Sequence, residues 1–217
     1  MSKYIVGFYK NEKVKYVSHL DIVRMIGRAM RRADLKIKHS QGFNPHPLLS
    51  FAHPLGVGIS SIGELMEIEL ENEVSPKELG EKLDGVLPEG FGITGVKKCT
   101  EKSPFSQLAV AGYEIILKGD FDETVLDFLK NDTIVVPKRT KSGVKDTDIK
   151  PMIKGAKISG RNETAIKLAV MLSCGNDNLK PELFVETLEK FSGKTAQDYK
   201  IRRMGLYTKD AKLLAEF

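Results

Sequence analysis

The sequence predicts an α+β protein built from two tandem ferredoxin-like domains, antiparallel sheets with helices packed on one face. Three observations predict it. The chain has 217 residues, room for one large domain or two small ones at ~100–200 residues each. Segments with strand and helix periodicity follow one another as strand–helix–strand–strand–helix–strand in the first half, and the same order returns in the second. Helix starts at residues 19 and 76, then 121 and 181, set spacings of about 57 and about 60 residues. A linker is expected within residues 99–110, giving domains 1–105 and 106–217.

Each element has a local reason. YIVGFY, residues 4–9, is β-branched and aromatic, as a buried strand would be. Ser18 with Asp21 three residues on forms a capping box that opens a helix over 19–33. Along that helix Ile22, Ile26, Ala29 and Ala33 gather on one side, and Arg24, Arg28, Arg31 and Arg32 on the other. The Gly- and Pro-rich stretch 40–63 reads as loops joining short extended segments. In ELMEIEL, Met66, Ile68 and Leu70 alternate with Glu67 and Glu69, the pattern of a half-exposed strand. Ser75, Pro76 and Glu78 start a helix to about Leu87, and a strand follows over 91–98. In the second half the reading is a strand over 112–117, a helix to Lys130 capped by Asp120 with Glu123, and a strand over 133–136. After a basic loop come a strand over 164–172, a helix from Pro181 to Phe191 and a strand over 199–207.

Composition removes several classes. Apolar residues at 41% and charged residues at 29% are those of a chain that can bury a core, not of a disordered one. No apolar run approaches the ~20 residues of a membrane span, and the first residues lack a signal peptide's pattern, so a cytoplasmic protein is expected. Two cysteines, Cys99 and Cys174, are too few for a disulfide framework or a cysteine-ligated iron–sulfur cluster.

The net charge of +5 hides blocks. Residues 1–60 hold 10 basic and 3 acidic side chains, residues 61–95 hold 2 and 9, and residues 132–160 hold 7 and 3. A local cationic excess attracts polyanions even where total charge is modest. From charge alone, a solvated surface balanced by the acidic block is an equal alternative.

All four histidines, His19, His39, His46 and His53, lie in the first quarter. None has the spacing of a metal motif, and no metal ligand set is assigned. General acid–base work on RNA by His19 or His46 is a second reading, and substrate contact or capping by neutral imidazoles the third. In SQGFNPHPLLSF, residues 40–51, Gly42 frees the backbone while Pro45 and Pro47 hold Asn44 and His46 extended. A loop so stiffened can present Phe43, Asn44 and His46 to an unpaired base at small ordering cost, or simply make a rigid turn. The stretch 137–151 offers Lys138, Arg139, Lys141 and Lys145 about Gly143, suited to phosphates or to a solvated hairpin tip. Phosphate-binding, nucleophile-elbow and kinase signatures are absent.

Residues 16–70 carry SHLD, the arginine-bearing helix, SQGFNPHP, SFAHPLGVG and the E-MEIEL strand. In that order they resemble the bacterial domain-of-unknown-function family called radical SAM-linked protein, and DTDIKPMI at 146–153 and the IRRMGLY ending extend the likeness over the chain. The resemblance implies a partner, a cobalamin-binding radical SAM enzyme fused to or encoded beside such domains. The chain has no CxxxCxxC, so that chemistry would reside in another polypeptide. The arrangement also resembles the repeat-associated RNA-processing endonucleases, but residues 192–217 hold only Gly193 and Gly205 where those enzymes have a glycine-rich loop.

The expectation is an RNA-binding accessory protein, tRNA being one candidate, working with a radical SAM enzyme and without a cofactor or catalytic residue of its own. Arg24, Arg28, Arg31 and Arg32 would hold phosphates, Phe43, Asn44 and His46 a base or sugar, and Lys138, Arg139 and Lys141 would extend the track. The alternatives are a metal-independent endoribonuclease and a protein-interaction module that touches no nucleic acid.

Overall fold

The computed structural model describes residues 2–100, 102–140 and 143–217. It is a mixed α+β protein dominated by antiparallel strands, and its contacts divide it into two units, 1–108 with 205–217 and 109–204. No helix among the described residues is long and apolar enough to cross a membrane.

The first unit contains β1 (Ser2–Lys10), α1 (His19–Arg32), β2 (Leu49–Phe51), β3 (Ser60–Leu70), α2 (Pro76–Asp84) and β4 (Phe91–Lys98). Its strands run in the order β4-β1-β3 with β2 paired to β3, all antiparallel. Strand alternation decides which side chains are buried. Tyr4, Val6 and Phe8 of β1 and Met66, Ile68 and Leu70 of β3 form one face, and α1 lays Ile22, Ile26, Ala29 and Met30 on it. Leu79 and Leu83 of α2 complete this core. The Ser18 side chain accepts the Asp21 amide at 3.2 Å, so α1 starts where the capping box places it. On the opposite face Gly7 pairs with Gly95, and the Phe217 ring fills the space where Cβ atoms would stand, 2.6 Å and 2.4 Å from ideal positions at the two glycines. Phe217 thus packs within the first unit, with which residues 205–217 group.

The second unit contains most of β5 (Leu108–Lys118), then β6 (Val135–Thr140), β7 (Gly143–Asp148), β8 (Ile153–Arg161), β9 (Ala165–Ser173), α3 (Pro181–Ser192) and the first part of β10 (Asp198–Thr208). Its order is β10-β5-β9-β8, with β6 and β7 as a separate two-stranded ribbon.

Three expectations change here. Residues 123–130 form a 3-10 helix, and its cap is Asp122, not Asp120. The Asp122 carboxylate accepts the Thr124 amide at 2.9 Å and meets the Lys194 ammonium at 2.7 Å, while Thr124 and Val125 put two β-branched residues in the first turn. The strand expected over 133–136 starts at Val135 and continues to Thr140, and the basic loop after it folds back as β7. The partner of β9 is β8, which the sequence reading left without structure. Its register shifts between Ile153 and Gly155 and between Ile158 and Gly160, which breaks the alternation that marks a strand.

Ile26 is fully buried beneath α1. Ile26→Ala should destabilise the protein by about 2–5 kcal/mol, read as a lower urea midpoint at unchanged m-value; a loss under about 1 kcal/mol would mean the helix is not anchored through this residue.

Candidate nucleic-acid interface

With its apolar stripe committed to the sheet, α1 turns Arg24, Arg28, Arg31 and Arg32 to solvent, all four exposed. Arg24, Arg28 and Arg32 line one cleft of about 310 Å³ with Asp21, Met25 and Pro88. Arg24 Nη1 lies 3.2 Å from Asp21 Oδ1, an exposed, solvent-screened i,i+3 pair that leaves the guanidinium available. Arg32 donates from Nη2 to the Val86 carbonyl at 2.6 Å, which fixes its direction. Arg31 lines a neighbouring cleft of about 280 Å³ together with Lys36 and His39. The acidic groups of that cleft are Asp34 and Glu71.

His39 begins a hairpin-like excursion. Its neck is tied by Leu48 N to Lys38 O at 2.7 Å, by a bridge between His39 and Pro47, and by Ser40 N to His46 O at 2.8 Å. The Ser40 hydroxyl accepts the His46 amide at 3.1 Å and lies 2.8 Å from His46 Nδ1. The base is stitched to β3 by Lys38 N to Glu69 O at 2.8 Å and Glu69 N to Leu48 O at 3.1 Å. Gly42 has φ +129°, in the region only glycine adopts freely, and beyond the neck Phe43, Asn44 and His46 are exposed. Phe43 is 105% exposed. Leaving a whole aromatic side chain in water forgoes about 1.5–3 kcal/mol of burial.

The acidic strand does not neutralise the arginines. Glu67 pairs with Lys3 at 3.1 Å and Glu69 with Lys38 at 2.6 Å. Arg31 and His39 at the hairpin's neck share one cleft, while Phe43, Asn44 and His46 line neither this cleft nor that of Arg24, Arg28 and Arg32. Lys138 and Arg139 stand on β6 of the second unit. Lys138 is half-buried, its Nζ 3.5 Å from Met152 Sδ, and Arg139 is exposed opposite Val144. Lys141 lies outside the described residues.

The sequence reading missed a polar cluster at the start of α1. Lys10 is fully buried and its ammonium donates to the carbonyls of Lys15 and Val17 at 2.7 and 2.9 Å, which fixes the chain entering the helix. Ser60, Ser61 and Glu64 are buried on β3, and Ser60 Oγ donates to Glu12 Oε1. His19 sits here, its ring edge-on to Phe51 at 5.1 Å, and Phe51 is edge-on to Phe8 at 5.8 Å. Burial holds the His19 imidazole below its ordinary value, opposed by the negative charge of Glu64. The local signal was the sequence motifs SHLD, SFAHPLGVG and ELMEIEL, which supply His19, Phe51 and Glu64. Cys174 is buried and its thiol is pushed up to about 11 by that burial, so it is an unreactive core residue. Among the described residues no three His, Cys, Asp or Glu converge on a metal-sized site.

Comparison with known proteins gives a family and a likeness of fold. Residues 3–181 match the family described as "Uncharacterized protein conserved in bacteria (DUF2344)". None of the curated proteins matches the chain. Among solved structures, a chain of the "Crystal Structure of a Cbf5-Nop10-Gar1 Complex" is similar with a TM-score of 0.53 at 10% identity. The likeness takes in 94% of this chain and 48% of that one, so this chain spans about half its length. The "Crystal Structure of an Unknown Protein from Galdieria sulphuraria" is 14% identical over 93% of this chain and 98% of that one, with a TM-score of 0.26 that carries no argument.

The geometry at His19 fixes a pH response. In an imidazole titration followed by NMR, His19 should have its midpoint below 6.5, and Glu64→Gln should lower it further by removing the charge that raises it. Because the folded protein then holds fewer protons on His19 than the unfolded chain, its share of stability is present above 6.5 and lost as pH falls through the folded midpoint. A midpoint at or above 6.5 would show the ring governed by charge and not by burial.

Proposed function

The chain belongs to DUF2344, a family of proteins conserved in bacteria, and from that premise we propose that it is a non-catalytic RNA-binding accessory protein. Structured RNA such as tRNA is its ligand, and it holds that RNA for a cobalamin-binding radical SAM enzyme carried on another polypeptide in the cytoplasm. The partner comes from the likeness of residues 16–70 to radical SAM-linked proteins. The RNA comes from the surface.

One observation carries the reading: an exposed row of arginines on a helix leads through a shared cleft to a pinned hairpin whose tip is a bare phenylalanine. Guanidinium groups suit phosphates because they present several donors in a fixed fork and keep their charge at every physiological pH. Phosphate contacts set position without reading sequence, so the row supplies affinity. Phe43 offers a face on which an unpaired base can stack, and Asn44 and His46 beside it offer polar groups to the base or its sugar. Binding fits this site better than cleavage, since His19 is packed against Phe51 and His46 Nδ1 is engaged by Ser40. Lys138, Arg139 and Lys141 are read as further phosphate contacts on the second unit.

Tandem ferredoxin-like units are the architecture we propose for this work. The strand order of the first unit, fourth-first-third-second once β2 is counted beside β3, supports it, and β10-β5-β9-β8 repeats that order in the second. The ribbon β6–β7 is then an insertion before the second strand.

Filter binding to RNA should weaken steeply between about 50 and 200 mM salt through counterion release, and Arg28→Glu/Arg31→Glu should weaken it about tenfold or more. Salt-insensitive binding, or binding unchanged by that double substitution, would contradict the proposal.

A further inference from the structure

The sheet of the second unit has a face that the reading above does not use. Its inner face is defined by Tyr113, Ile115 and Leu117 of β5 and their neighbours Val170, Leu168 and Ile166 of β9, all buried. On β10 the same side takes Tyr199, Ile201 and Arg203. Arg203 is buried with its guanidinium 5.7 Å over the Tyr113 ring, and Tyr199 lies within the influence of Glu182, Glu186 and Glu189 of α3. Alternation therefore sends Asp198, Lys200, Arg202 and Met204 to the outer face, where Asp198 is paired with Lys118 at 3.4 Å. Lys167, Ala169 and Met171 of β9 share that face, as do Lys157 and Gly155 of β8, which pair with Ala169 and Met171.

The outer face is cationic. Lys157 and Lys200 are exposed and Arg202 is half-buried, and none of the three makes an ion pair among the described residues. Lys167 is paired with Glu114 at 3.1 Å, and Glu114 is the acidic residue of β5 on this side. With β8 and β10 three strand spacings apart, the cations span about 14 Å. Between Lys157 and β10 stand Ala169 of β9 and Glu114 of β5, the latter engaged by Lys167, and a Cβ added at Gly155, two residues from Lys157 on β8, would meet nothing within 4 Å. No aromatic residue among those described belongs to the face, so it has no platform on which a base could stack.

We propose that this outer face is a second docking surface for RNA, gripping the sugar–phosphate backbone with Lys157, Lys200 and Arg202 and reading no bases. Ala169 beside Lys157, and Gly155 two residues from it, let the backbone approach the sheet at this edge, where Glu114 is held by Lys167. The surface adds affinity and orientation, while any discrimination among bases stays with the Phe43 hairpin. This inference rests on the RNA-binding reading for the identity of the polymer alone; the geometry of the face is independent of α1.

The test is fluorescence anisotropy of the full chain with a labelled single-stranded RNA over a series of salt concentrations. Lys157→Ala/Lys200→Ala/Arg202→Ala should weaken binding about tenfold and make the slope of log affinity against log salt shallower by about 2, at ~0.7 per cation removed. Melting temperature and far-ultraviolet circular dichroism check that the variant folds, and Lys157→Gln/Lys200→Gln, which keeps side-chain length, should make the slope shallower by about 1.4. Unchanged affinity and slope in both variants, with binding lost in Arg28→Glu/Arg31→Glu, would overturn the second surface and leave the helix reading standing. The reverse pattern would leave the second surface and remove the helix reading. Absence of RNA binding in the unsubstituted protein, with binding to phosphatidylserine vesicles instead, would overturn both.

Discussion

The rotation of α1 about its own axis is the constraint on which the first unit depends. Four side chains, Ile22, Ile26, Ala29 and Met30, enter the face made by Tyr4, Val6, Phe8, Met66 and Ile68. Each large one contributes about 1.5–3 kcal/mol by leaving water, so any other rotation would expose several of them. Once that rotation is set, the arginines have no choice of direction. The buried Lys10 ammonium closes the entry to the helix by holding two carbonyls, and Phe51 holds His19 at its first turn. A lysine removed from water is costly unless hydrogen bonds replace its hydration, and two of its donors are accounted for by those carbonyls.

The charge blocks of the sequence acquire a spatial meaning from this arrangement. The acidic strand β3 lies beneath the helix layer, and its Glu67 and Glu69 are taken up by Lys3 and Lys38. Opposite charges 64 and 31 residues apart thus meet as lysine–glutamate pairs, whereas the arginines of α1 face outward with one weak exposed pair among the described residues, at Arg24. Lys38 does two things at once, since the residue that neutralises Glu69 also forms the neck of the Phe43 hairpin through its backbone. The hairpin is consequently held by the sheet it projects from. That is the condition for a loop to bind without first having to be ordered.

Much of this was legible because the relevant signals are local. Ser18 and Asp21 fix the start of α1, the alternation in ELMEIEL fixes β3, and Pro76 and Pro181 fix the starts of two helices. The hairpin was legible as a stiff loop from Gly42, Pro45 and Pro47, though not its neck, which depends on Ser40 meeting His46. What escaped was long-range. Lys10 and Glu64 are single charged residues in strands, and nothing local distinguishes them from the exposed lysines and glutamates around them. β8 escaped because Gly155 and Gly160 sit at shifts of register that erase its period, and the 3-10 helix at 123–130 because its capping carboxylate is recruited by Lys194, 72 residues away.

The central claim is that the outward arginine face and the Phe43 hairpin form one binding site for RNA. Ultraviolet crosslinking of the protein to bound RNA, followed by mass spectrometry of the modified peptides, tests it most directly. The account predicts crosslinks concentrated on Phe43 and on the residues flanking it between His39 and Pro47, with protection of Arg28 and Arg31 from guanidine-directed modification. Crosslinks confined to other surfaces, with those arginines as reactive in the complex as in the free protein, would contradict it.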